Sequence, residues 1–155
     1  MNKLKYASLN EAAKREICSW RYSGEYAIYN LPDYESMRSR QRGFMNPASE
    51  MQYYGFWDVD VLVGYVKITE GENDVSVGIG VCPELCGKHY GRQIMLAVYD
   101  ISKKLYPAKP LSLEVRTWNK RAIKCYEKAG FKIIGDAYEL ATGIGTGTFY
   151  RMVRE

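Results

Sequence analysis

The spacing of apolar positions changes several times along the chain, and each change marks an element. Residues 3–8 form a short predicted strand. Asn10 stands where it can cap a helix over residues 11–19, in which Ala12, Ala13, Ile17 and Trp20 give partial helical periodicity. Residues 20–47 are aromatic and polar and are interrupted by Pro32 and Pro47. They read as a loop with one short helix over 33–40, the kind of segment that lies over a binding site. The period then falls to two. Residues 51–58 and 61–69 are predicted strands joined at 58–60, and a turn at 70–74 leads to a third strand over 75–81, ended by Pro83. These three make an antiparallel meander. Helical spacing returns over 90–105, where Ile94, Ala97, Val98, Ile101 and Leu105 share a face before Pro107 and Pro110. In 111–117, Leu111, Leu113 and Val115 alternate with Ser112, Glu114 and Arg116, which predicts a strand with one apolar and one polar face. Asn119 can cap a helix through Lys128, with Ala122, Ile123 and Tyr126 on one side and Gly130 as terminator. Residues 131–140 and 148–153 close the chain as a hairpin around Gly143, Gly145 and Gly147. This order is that of an α/β (α+β) domain on a mixed sheet.

Composition narrows the chemistry. The 155 residues suit a single domain spanning 1–155, and 46% hydrophobic residues support a real core. The single histidine, His89, excludes metal sites built from two or more histidines, and no metal is expected. The net charge of +4 is spread along the chain rather than gathered in a stripe, so it suits an anionic small ligand as well as a polymer. Four cysteines without an apolar leader read as reduced thiols, and no apolar run approaches the roughly 18 residues of a membrane span, so a cytoplasmic location is expected.

The stretch from Val77 to Met95 carries a strand through Gly78 and Gly80 into a loop of Cys86, Gly87, Lys88, His89, Tyr90, Gly91 and Arg92, and then into a helix. A helix N-terminus leaves N–H groups without internal partners and carries about half a positive charge. Gly87 and Gly91 let backbone approach a phosphate, and Lys88 and Arg92 add formal charge. The segment lacks the full phosphate-loop pattern of nucleotide hydrolases and the third glycine of a dinucleotide fingerprint. A ligand-free glycine-rich connection remains the other reading of these residues.

The second informative stretch runs from Leu113 to Phe131. Together the two resemble the GCN5-related N-acetyltransferase (GNAT) family. Asn119, Ala122, Tyr126, Gly130 and Phe131 match that family's Asn-x-x-Ala-x-x-x-Tyr-x-x-x-Gly-Phe pattern throughout. The pyrophosphate loop, Arg/Gln-x-x-Gly-x-Gly/Ala, is matched in part: Gly91 fits, Cys86 replaces Arg or Gln, and His89 replaces the first glycine. The resemblance implies a sheet with a V-shaped cofactor cleft and acetyl-CoA as donor. It assigns Gly87, Lys88, His89, Tyr90, Gly91 and Arg92 to the pyrophosphate. Ile79 and Val81 would pair with pantetheine, and Asn119 and Tyr126 would lie along its arm.

By the same resemblance, Tyr126 is the expected general acid to the thiolate, and the Val81 N–H polarises the carbonyl, in direct attack within a ternary complex. Ser76 occupies the place where family members often carry a glutamate base, which leaves Glu25, Glu70, Asp74 or Glu114 to act through water. Trp20, Tyr22, Glu25, Tyr26 and Tyr54 are the expected acceptor-binding residues, since aromatic walls hold a cationic amine. The expected acceptor is a primary amine of a small molecule or peptide, handled by a monomer or homodimer. A non-catalytic CoA-binding module and a basic nucleic-acid-binding domain are the alternatives.

Overall fold

The structure, a computed structural model, describes residues 3–155. The elements follow in the order β1 (Lys5–Ser8), α1 (Glu11–Ser19), α2 (Tyr34–Ser39), β2 (Tyr53–Asp58), β3 (Val61–Glu70), β4 (Val75–Val81), α3 (Tyr90–Leu105), β5 (Leu111–Arg116), α4 (Lys120–Lys128), β6 (Lys132–Thr142) and β7 (Gly145–Arg154). Short 3₁₀ helices occupy Gly24–Tyr29, Gly43–Met45, Glu50–Gln52 and Pro83–Leu85. The strands form a seven-stranded, mostly antiparallel sheet in the order β1-β2-β3-β4-β5-β7-β6. Among the described residues no helix is long and apolar enough to cross a membrane.

The described residues divide into two compact units, one of residues 3–67 and 79–90, the other of 68–78 and 91–155. In the first unit, Asn10 Oδ1 accepts the Ala13 N–H at 2.8 Å and starts α1. Its buried side carries Ala13, Lys14, Ile17 and Cys18, while Ala12, expected inside, is exposed. Lys14 is buried because Glu50 Oε2 meets its ammonium at 2.6 Å. The aromatic segment, expected as a loop with one short helix, carries that helix as α2 and further 3₁₀ turns, and it lends Trp20, Met37 and Phe44 to a core shared with Leu9, Tyr53 and Leu62.

In the second unit α3 buries Ile94, Met95, Val98, Ile101 and Ser102. Leu105, expected on that face, is 53% exposed in the last turn of the helix. β5 departs most from its expected pattern. Leu111, Leu113 and Val115 are buried, but so are Ser112 and Arg116 on the other face, leaving Glu114 as the exposed residue. Ser112 Oγ donates to Asp74 Oδ2 at 2.6 Å, and β7 lies alongside, pairing Glu114 with Arg151 and Arg116 with Phe149. The closing hairpin is longer than expected, so Gly145 and Gly147 lie within β7 rather than in the turn.

Candidate active site

β4 begins a parallel ladder with β5, pairing Val75 with Leu111 and Ser76 with Ser112. The strand itself runs five residues further, to Val81. Its end is held within the first unit: the Tyr22 hydroxyl donates to the Val81 carbonyl at 2.6 Å, and the Cys82 N–H donates to the Val63 carbonyl at 2.8 Å. Gly80 is glycine for a packing reason. The Tyr65 ring rests on it, and a Cβ there would fall 2.4 Å from Tyr65 Cε1. Gly78 has open space around it.

Beyond the Pro83–Leu85 turn, the Cys86 N–H donates to the Pro83 carbonyl and that of Lys88 to the Leu85 carbonyl. Gly87 and His89 have left-handed backbone, with φ of +83° and +69°. Their N–H groups have no acceptor among the described residues. A Cβ on Gly87 would meet nothing within 4 Å. Two N–H donors without an acceptor, beside the exposed side chains of Lys88 and His89, are groups of the kind that can take an anion. The position where the resembling loop carries glycine demands positive φ, and His89 adopts it; histidine is among the residues that tolerate this region best. The Tyr90 ring points elsewhere, its hydroxyl donating to Asp58 Oδ2 at 2.6 Å.

In the second unit β5 delivers Asn119, 7% exposed, to the start of α4, where its Oδ1 accepts the Ala122 N–H at 3.2 Å. Tyr126 is half-buried on α4, its ring edge-on to Phe131 at 6.3 Å between centroids. Asp74 accepts from Ser112 and from Arg151, at 3.0 Å, and these bonds hold its carboxyl below the usual aspartate range despite partial burial. Glu70 pairs with Lys109 at 2.8 Å. Glu114 accepts from the Tyr138 hydroxyl at 2.6 Å; burial, then that bond, push the Tyr138 phenol up to about 12.

The expected acceptor residues do not gather on one surface. Trp20 is 8% exposed and packs in the core against Tyr65. Tyr54 follows Tyr53 on β2, so its ring is on the opposite side of the strand, against Tyr6. Glu25 is exposed and Tyr26 half-buried on the Gly24–Tyr29 turn, next to the segment that presents Tyr22. The four cysteines are free thiols, and among the described residues no three His, Cys, Asp or Glu side chains gather as metal ligands. Alternation puts Arg116 on the polar face of β5; its burial depends on β7, which no local pattern announces.

The profile of the Acetyltransferase (GNAT) family matches residues 14–131, and the chain belongs to that family. It is an acetyltransferase whose acyl donor is acetyl-CoA. A GNAT-family acetyltransferase from Bacillus anthracis is similar in fold, with a TM-score of 0.80 at 15% identity over 98% of this chain and 94% of that one. A chimera of the Vibrio cholerae spermidine N-acetyltransferase and hSSAT is similar with a TM-score of 0.73 at 19% identity, covering 99% and 96%. AAC(6')-Ib, solved in complex with Parmomycin and acetyl-CoA, is similar with a TM-score of 0.72 at 17% identity, covering 99% and 93%. No curated relative matches by sequence.

Proposed function

We propose that the protein transfers an acetyl group to a primary amine of a small molecule or peptide, by direct attack within a ternary complex. Acetyl-CoA supplies the activated thioester. The observation that carries this reading is the pair of orphan N–H groups at Gly87 and His89, at the entrance to α3. They bind the pyrophosphate, with Lys88, Gly91 and Arg92 around them. The backbone of Ile79 and Val81 pairs with the pantetheine arm as an added strand would, and Asn119 contacts the same arm. The Val81 N–H donates to the carbonyl oxygen where negative charge develops, while the Tyr22 hydroxyl on the Val81 carbonyl keeps this backbone rigid. The Tyr126 hydroxyl gives its proton to the departing sulfur.

The amine must lose a proton. Cations hold Glu70 and Asp74, and a depressed pKa makes Asp74 a poor base. Glu114 is exposed on the strand that leads to Asn119 and, among the described residues, its side chain is bonded by a neutral donor, Tyr138, so it is assigned as the base, through water.

The test is release of free CoA thiol from acetyl-CoA across a library of primary amines, with acetyl-CoA binding measured separately by calorimetry. Turnover with at least one amine is expected. Tight acetyl-CoA binding with no turnover on any amine would mark a CoA-binding module instead.

A further inference from the structure

Arg116 is largely buried without an anionic partner among the described residues, while its guanidinium nitrogens still reach solvent. It is 8% exposed, yet among the described residues its guanidinium meets no carboxylate and donates no hydrogen bond. Its contacts are the face of the Phe149 ring, 4.8 Å from the centroid, and the backbone at Gly147, where a Cβ would fall 2.1 Å from Nη1. Arg151, in the same unit, offers the contrast: its side chain is 41% exposed, and it still has Asp74 as a partner at 3.0 Å. The more buried cation is the one left unpaired.

Arginine cannot escape burial by losing its proton, and a ring face offsets only a small part of the hydration that a buried guanidinium gives up. The arrangement becomes favourable when a planar anion meets the guanidinium fork. A carboxylate does so with two parallel hydrogen bonds. Glu114, two residues earlier on β5, projects from the same face of the strand. An acceptor with an amine near Glu114 and a carboxylate on Arg116 is a zwitterion.

We propose that Arg116 is the recognition site for a carboxylate on the acceptor, so that the substrate is an amino acid or a related amino carboxylate rather than a polyamine. This rests on the acetyl-transfer reading above. The donor's phosphates carry the same chemistry, but the Gly87–His89 loop with Lys88 and Arg92 already provides for them. A polyamine would bring a further positive charge against an uncompensated guanidinium.

The experiment compares amino acids, their C-terminal amides and the matching decarboxylated amines as acceptors at saturating acetyl-CoA. The expected result is a kcat/KM at least tenfold higher for the acids. Equal or better turnover of amides and amines overturns the proposal and leaves the acetyl-transfer reading standing. Binding of N-acetyl amino acids against their amides, by calorimetry, reads the same preference without turnover. If the acids bind tenfold tighter while no acceptor is turned over, the carboxylate site stands and the transfer reading falls; equal binding overturns the site. Arg116→Gln should raise KM for the acid at least tenfold, leave kcat and acetyl-CoA affinity near wild type, and erase the acid–amide difference; Arg116→Lys should restore part of it. A weaker acetyl-CoA affinity in Arg116→Gln, with the acceptor preference kept, would assign the guanidinium to the donor's phosphate and overturn the proposal.

Discussion

Residues 75–92 and 113–131 are both expected to hold the donor, but they stand differently to the family pattern. The first departs from it at Cys86 and His89; the second matches it at each motif position. The structure supplies a physical reason. In the first segment the proposed chemistry is that of the backbone: the β4 strand, its end tied by Tyr22 and Val63, and a loop with left-handed φ angles at Gly87 and His89, whose N–H groups are unpaired among the described residues. Any side chain that tolerates those angles can stand there. In the second segment the proposed roles fall on side-chain atoms. The Asn119 Oδ1 closes the first turn of α4, and the Tyr126 ring is set against Phe131. A replacement there removes the group itself.

Substitutions can break this contrast, the largest effect lying in the side-chain segment. Tyr126→Phe should lower kcat by about a hundredfold, the usual size of a general-acid contribution, with acetyl-CoA affinity nearly unchanged. Unaltered turnover would remove the acid role. In the backbone segment the two glycines of β4 should separate. Gly80→Ala forces a methyl into the Tyr65 ring and should cost about 2 kcal/mol in denaturant unfolding. Gly78→Ala, with open space, should stay within about 0.5 kcal/mol of wild type. Equal costs at both would mean that β4 needs glycine for its conformation and not for Tyr65. His89→Gly should have the smallest effect. Relief of the left-handed strain, roughly 1 kcal/mol, is offset by the greater freedom of glycine in the unfolded chain. Acetyl-CoA affinity should hold or tighten. A marked loss in calorimetry would show that the imidazole itself binds the ligand.

Much of the fold was legible from local signals. The bounds of α1, α3 and α4 follow from Asn10, from Pro107 beyond a helical period, and from Asn119, because caps and proline act within one turn of the residue that carries them. The left-handed loop before α3 follows for the same reason: Gly87 and the turn residues before a helix are a contiguous pattern. The acceptor residues were not. Trp20 and Tyr54 both looked like pocket walls, but aromatic rings serve core and pocket alike, and one entered the core while the other took the opposite side of β2. Likewise Ala12 and Leu105 fit the helical period but lie outside the buried stripe, since period alone does not set its width.

The sequence by itself determined the bounds of α1, α3 and α4, the family, and the donor, since these rest on short runs of residues with fixed spacing. Only the tertiary structure decided the fate of the polar face of β5. Alternation places Ser112, Glu114 and Arg116 on one polar face, but Asp74 and β7, distant along the chain, cover two of them and leave the third exposed. Whether a polar residue becomes surface, structural partner or ligand site depends on what lies against it, and that is a property of the packed chain.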